Sequence, residues 1–290
     1  MTSTSTSTST SAETTLVGTT AEVERTGATG AAKAWSDSMV LLKRNVIHGI
    51  REPIEPMLSL MIPIMMMLLL GYVFGGSITV PGSANYREFL IAGIIVMVMA
   101  YGLSNTASGM ARDTEKAVYG RFRSMPMAAS ALVTSRALYE MIRGVVETVI
   151  VIAVGLLIGW QWHNDWGDFF SAIGILLLLR LALVWGGILL GLTVPAEAVS
   201  PIVYPLVFPL TVISSSFVAP ERMPEWLGVA AEWNPITSVV NATRELWGNP
   251  GVGGDSWIVQ NAQLMAVVWP LVLLVLFVPL SIRRFRRVSA

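Results

Sequence analysis

The chain has 290 residues, of which 53% are hydrophobic and only 13% charged, and its mean hydropathy is +0.63. That charged share is about half the share of a soluble domain, which excludes a soluble enzyme, a disordered scaffold and a coiled coil and leaves a polytopic helical membrane protein. Net charge is zero, with 19 basic and 19 acidic residues and no cysteine, so nothing points to nucleic acid, a disulfide, an iron–sulfur cluster or a thiolate zinc site.

Residues 1–33 form a Thr/Ser-rich stretch with too few large apolar groups to offset ordering entropy, and they read as a disordered cytoplasmic tail. No apolar run follows a basic start there, so it does not read as a signal peptide. Residues 34–53 predict an amphipathic elbow helix. Trp35, Met39, Leu42, Val46 and Ile50 recur at helical steps, flanked by Lys43, Arg44 and Arg51, before Pro53 breaks the pattern. A helix lying on the inner membrane surface fits this stripe; an ordinary cytoplasmic cap helix is the alternative.

Residues 54–282 hold six apolar stretches, which predict an all-α protein with six transmembrane helices. The first, Met57 to Phe74, has no charge and reaches about 27 Å as a helix. The others are Phe89 to Met110, Tyr139 to Trp160, Phe169 to Gly191, Ile202 to Ala219 and Leu264 to Ile282, with 283–290 as a basic cytoplasmic tail.

Basic residues set the expected orientation. Arg25, Lys33, Lys43, Arg44 and Arg51 precede the first span; Arg112, Lys116, Arg121, Arg123 and Arg136 lie between the second and third; Arg283, Arg284, Arg286 and Arg287 close the chain. Only Arg87, Arg222 and Arg244 fall on the other side, so both termini are expected in the cytoplasm. Trp160, Trp162 and Trp166 then form an outer interfacial belt.

No catalytic set appears. There is no GxxxxGK[ST] loop, so the chain is not expected to hydrolyse nucleotide or to hold a cofactor. His48 and His163 stand far apart with no metal-ligand cluster beside them, so no metal site is expected. Two connections carry more information. The segment from Ala111 to Arg136 mixes Arg112, Asp113, Glu115, Lys116, Arg121 and Arg123 with an apolar knob of Phe122, Met125 and Pro126. That combination suits a docking helix, with apolar anchors and a charged rim, or a loop packed on its own bundle. The outer segment from Phe217 to Asn261 is long for a connection. Its Pro224, Trp226, Trp233, Asn234, Pro235 and Arg244 suggest short helices re-entering the outer leaflet as a lid.

Three motifs in this order resemble the type-2 ABC permeases, and within them the daunorubicin/doxorubicin-resistance branch. They are Arg121-Phe122-Arg123-Ser124-Met125-Pro126-Met127, Met223-Pro224-Glu225-Trp226-Leu227, and Asn234-Pro235-Ile236-Thr237 followed by Ala242-Thr243-Arg244. The resemblance runs from about Trp35 to the C-terminus and implies a half-transporter in a bacterial plasma membrane. Two permeases, identical or homologous, would pair and dock on two copies of a separate ATPase, which holds ATP and Mg²⁺. Residues 112–127 would supply the coupling helix. The implied cargo is a lipophilic drug or lipid, with a lipid-linked glycan as the alternative; a non-transporting membrane anchor coupled to an ATPase is the reading from another class.

Within the spans, Arg180 lies near mid-bilayer, where leaving it unpaired would cost roughly 2.5–3.5 kcal/mol. Glu147 lies at nearly the same depth, so the two can pair, with Arg143 as a competing partner. Structural glue is the preferred role, over a substrate or proton site. Gly155-xxx-Gly159 and Gly187-xxx-Gly191 permit close helix contacts. Pro201, Pro205 and Pro209 should bend the fifth span, which with Tyr204, Phe208, Ser214, Ser215 and Ser216 is the first choice for lining a path. Ser104 and Asn105 make the second span the next choice, although plain helix packing explains any one of these residues equally well.

Overall fold

The structure, a computed structural model of the chain, describes residues 30–52, 54–74, 86–118, 129–249, 251 and 256–289. All regular structure among them is helical. α1 (Gly30–Arg51) is followed by α2 (Ile54–Leu69), which runs into a π-helical turn at Leu70–Phe74; then come α3 (Tyr86–Val118) and α4 (Ala129–Leu157). α5 (Trp166–Gly191) and α6 (Ala196–Val212) follow, then a 3₁₀ turn at Pro220–Arg222, α7 (Glu225–Glu232), α8 (Pro235–Trp247), α9 (Trp257–Gln260) and α10 (Ala262–Ser289).

Among the described residues, three helices are long and apolar enough to cross a membrane: Tyr86–Glu115, Trp166–Gly191 and Ala262–Arg287. Met57–Val73 and Ala196–Val212 are apolar but shorter. α4 has 29 residues, about 43 Å at ~1.5 Å per residue. It falls outside the apolar set because Arg136, Glu140, Arg143 and Glu147 lie along it.

α3 and α5 form the centre. Leu90 to Ile95, Met99 and Ala107 of α3 are buried, as are Ala172, Leu176, Leu179 and Ile188 of α5. The two backbones approach closely where Gly187 and Gly191 face α3. A Cβ at Gly187 would sit 2.7 Å from the Leu103 carbonyl oxygen, and one at Gly191 would collide with the Ala107 carbonyl. This small-residue seam is the kind that lets helices pack without large side chains between them. Gly155 and Gly159 do not make a matching pair. Gly155 meets the Ile91 and Trp160 side chains and no neighbouring backbone, and Gly159 lies past the end of α4 with φ of +93°, a left-handed conformation that glycine adopts without strain.

The elbow-like α1 begins at Gly30, inside the stretch expected to be tail, and packs on α4. Ser38 and Leu41 are buried, whereas Trp35, Val40 and Ile50 stay exposed, so the outer stripe is left for another environment. α6 buries Val199, Val203, Val207 and Thr211. Its three prolines each lack an amide hydrogen, yet the helix persists with Pro201, Pro205 and Pro209 on the exposed side.

α8 shows how local sequence fixes an element. The Asn234 side chain accepts from the Ile236 amide at 3.0 Å, and Pro235 takes the first helical position, where no amide hydrogen is needed. Gly248, with φ of +65°, ends the helix, and the Asn249 amide donates back to the Arg244 carbonyl at 2.9 Å.

Candidate functional site

Two buried polar assemblies stand at different levels of the bundle. The first is a ladder of charge across α3, α4 and α5. Asp113 of α3 lies 3.6 Å from Arg136 of α4, and Arg136 lies 3.5 Å from Glu140 one turn on. Glu140 then meets Arg180 of α5 at 3.3 Å. Arg180 reaches Glu147 at 3.4 Å with its other terminal nitrogen, and Glu147 accepts from the Arg143 Nε at 2.9 Å. Arg143 finally donates to Ser59 of α2 at 2.9 Å.

The ladder alternates sign along its whole length, with three guanidinium groups against three carboxylates. Mutual pairing offsets the desolvation that a lone buried charge would suffer. Glycines make the space. A Cβ at Gly102 would overlap the Arg180 guanidinium, and one at Gly109, two turns along the same face of α3, would overlap that of Arg136.

The structure therefore places Glu147, Arg180 and Arg143 together. It adds Arg136 and Asp113, and it makes Glu140, which shares a helical face with Arg143 and Glu147, a partner of Arg180. The signal was present: Arg136, Glu140, Arg143 and Glu147 alternate sign at steps of four, three and four on one helical face.

The second assembly closes the opposite end. Arg244 of α8 is fully buried. Its Nε and Nη2 donate to the Phe89 carbonyl at 3.0 and 2.9 Å, and Nη2 also donates to the Ser216 carbonyl at 3.1 Å. The guanidinium carbon stands 3.5 Å from the centre of the Phe89 ring. One side chain thus joins α8, the start of α3 and the turn after α6. A Cβ at Gly93 would collide with that same Ser216 carbonyl. Arg244, expected in the outer lid, is a buried clamp between these segments.

Ser214, Ser215 and Ser216 are also fully buried. Ser215 Oγ donates to Asn241 Oδ1 at 2.7 Å, and the Ser215 amide donates to Thr237 Oγ1 at 3.2 Å. Asn234 Nδ2 donates to the Leu210 carbonyl at 2.7 Å. The serine run therefore satisfies backbone and side-chain groups in the α6–α8 joint. Tyr204 and Phe208 of the same expected path point away from it, 50% and 55% exposed. Ser104 is buried and Asn105 half-buried within α3. These residues do not share one surface within a single chain.

Of the lid residues, Trp226 and Trp233 are exposed, as is Pro224, while Asn234 is buried and Pro235 half-buried. Beside them the aromatic belt is packed. Trp160 and Trp247 stand 4.9 Å apart, Trp162 and Phe169 also 4.9 Å, and Trp160 Nε1 donates to Asn249 Oδ1 at 2.8 Å. Asn249 had no expected role, yet it satisfies a fully buried indole.

Of the expected coupling residues, Arg121, Phe122, Arg123, Met125 and Pro126 lie outside the described residues, as does the Lys116 side chain. Arg112 is exposed on the last turns of α3. Asp113 belongs to the charge ladder, and Glu115 Oε1 accepts from the Ala196 amide at 2.9 Å. That carboxylate sits at the N-terminus of α6, where it meets unpaired amides and the positive end of the helix dipole. Both carboxylates thus tie α3 to its neighbours. Among the described residues, no group of three or more His, Asp or Glu is placed to hold a metal ion.

A bundle of long apolar helices, with a ladder of buried ion pairs across α3, α4 and α5, defines a polytopic membrane protein. Residues 37–246 match the family described as ABC-2 type transporter, and the chain belongs to that family. It is 27% identical over 262 residues to the daunorubicin resistance ABC transporter permease protein DrrB1 of Streptomyces coeruleorubidus, covering 89% of each chain. It is also similar to two ycf38 proteins named as transport permeases. That of Cyanophora paradoxa is 23% identical, covering 77% of this chain and 76% of the relative; that of Pyropia yezoensis is 25% identical, covering 71% and 72%.

Proposed function

We propose that this chain is the membrane-spanning half of an ATP-driven exporter that moves a lipophilic compound outward across a bacterial plasma membrane. The family match over residues 37–246, with a drug-resistance permease similar along 89% of the chain, is the observation that carries this reading. A separate ATPase in two copies supplies the work, with ATP and Mg²⁺ bound there. A second permease, identical or homologous, completes the translocation path.

In this reading the six apolar stretches all cross the membrane, with α1 as an elbow on the inner surface and both termini in the cytoplasm. α4 crosses despite its charges because α5 and α3 neutralise them in the ladder. The exposed side of α6, bearing Tyr204 and Phe208, faces the second permease and the cargo. The buried serine joint behind it holds the outer end of α6 to α8. Residues 112–127 dock on the ATPase, and α3 and α4 carry its movement into the bundle. Asp113–Arg136 is the first rigid link along that route. A partner shifts a conformational equilibrium only by binding its two states differently, so the link must hold while the states exchange.

The test is transport in inside-out vesicles containing the chain and its ATPase. ATP-dependent accumulation of a lipophilic drug that vanishes without either subunit supports the reading. ATP-dependent accumulation of a lipid-linked glycan, with no drug transport, would replace the cargo assignment. Transport of no drug, lipid or lipid-linked glycan would remove the exporter assignment.

A further inference from the structure

Between α6 and α10, with α3 and α5 as its floor, lies a cleft of about 640 Å³. Leu103, Leu190, Leu206, Phe277 and Leu280 form its apolar walls. Its mouth has a different character: Arg283, Arg284 and Arg287, from the last turns of α10, all line it. No carboxylate is among the lining residues.

The arginines stand on a fixed support. Ser281 Oγ donates to the Trp185 carbonyl at 3.1 Å, and Arg284 Nε donates to the Leu192 carbonyl at 3.2 Å. These bonds hold the end of α10 against the end of α5. The mouth is therefore a built feature of the bundle, and more than a basic tail trailing from it.

We propose that this cleft is a binding site for an anionic phospholipid of the adjacent leaflet, with an acyl chain between α6 and α10 and the phosphate at the three arginines. The apolar walls reject water and free phosphate, which gain nothing below the mouth. The arginine cluster demands an anion, and a guanidinium suits a phosphate in two-point contact. A zwitterionic lipid fills the walls equally well but brings an ammonium toward three cations. Only a lipid of net negative charge satisfies both halves, and basic residues at a membrane surface draw such lipids specifically. The cleft volume falls within the ordinary range for an occupied ligand site, roughly 300–1,000 Å³. The bound lipid acts as a wedge holding α6 and α10 at their present separation. This inference does not depend on the cargo or on the ATPase.

The experiment uses the purified full-length chain in nanodiscs of phosphatidylcholine doped with phosphatidylglycerol. Lipids that stay bound on release are counted by native mass spectrometry. Phosphatidylglycerol should be retained in preference to phosphatidylcholine. The double variant Arg283→Gln, Arg287→Gln should weaken that retention by about 30-fold. Leu280→Trp fills the cleft and leaves all three arginines in place. It should also abolish retention, at an unchanged thermal midpoint. Leu206→Trp serves the same purpose from α6 if Leu280→Trp does not fold. Equal retention of the two lipids would overturn the proposal. So would phosphatidylglycerol retention that survives the folded tryptophan variant, because the tail would then act by surface attraction alone.

Discussion

Arg180 of α5 and Glu140 of α4 meet at 3.3 Å with neither side chain exposed to solvent. Glu147 approaches the same guanidinium at 3.4 Å, so one cation serves two carboxylates in the middle of the bundle. Removing it leaves Glu140 with Arg136 alone and Glu147 with Arg143 alone, two buried carboxylates each short of a cation. Arg180→Met should therefore destabilise the protein by about 3–5 kcal/mol. The neutral double variant Glu140→Gln, Arg180→Gln should be more stable than either single change. The simple swap Glu147→Arg, Arg180→Glu should rescue only in part, because it sets a carboxylate opposite Glu140. Thermal unfolding followed by tryptophan fluorescence in detergent separates these outcomes.

Gly187 and Gly174 lie on the same helix in opposite situations. A Cβ at Gly187 would press on the Leu103 carbonyl and on Thr106 Cβ, both at 2.7 Å, whereas one at Gly174 meets nothing within 4 Å. Gly187→Ala should destabilise by about 1–3 kcal/mol through overpacking. Gly174→Ala should be neutral or stabilise by up to ~1 kcal/mol, since alanine is the better helix former. The same unfolding measurement on both variants checks the α3–α5 seam.

Arg244 holds three segments with three donated hydrogen bonds and satisfies no carboxylate in doing so. Arg244→Met should cost about 3 kcal/mol, because the Phe89 and Ser216 carbonyls lose charge-assisted donors. Arg244→Lys should recover little, since an ammonium lacks the planar fork that spans both carbonyls. Protease sensitivity of the segment after α6 reports the loss directly.

One exposed side of α6 carries Tyr204 and Phe208, 50% and 55% exposed. If a second permease covers that side, Phe208→Cys should form a disulfide-linked dimer under mild oxidation in membranes. The natural chain has no cysteine, so the result needs no background correction. A variant that stays monomeric on oxidation, while Val275→Cys on the exposed side of α10 dimerises, would move the interface elsewhere.

Composition and periodicity made the helical class legible, and the depth of Arg180 and Glu147 made their meeting legible. The wider ladder was missed because Asp113 and Arg136 were read as parts of the connection between two spans, outside the buried cluster. Gly102 and Gly109 look like ordinary small residues until α5 and α4 lay guanidinium groups over them. Arg244 was expected in the outer lid, but its partners were not legible, because the Phe89 and Ser216 carbonyls that it clamps come from distant segments. The serine run looked like a polar path because hydroxyls in an apolar span need an explanation. Thr237 and Asn241 of α8 provide one, across a separation of more than twenty residues. Asn249 was invisible because its partner is the buried indole of Trp160.

The account turns on energy entering from a separate ATPase through the connection between α3 and α4. The absence of cysteine allows a direct measurement: Phe122→Cys, labelled with a membrane-impermeant maleimide in intact cells and in inside-out vesicles. The account expects labelling only in inside-out vesicles, and protection when the ATPase is bound. Labelling of Phe122→Cys in intact cells would contradict it.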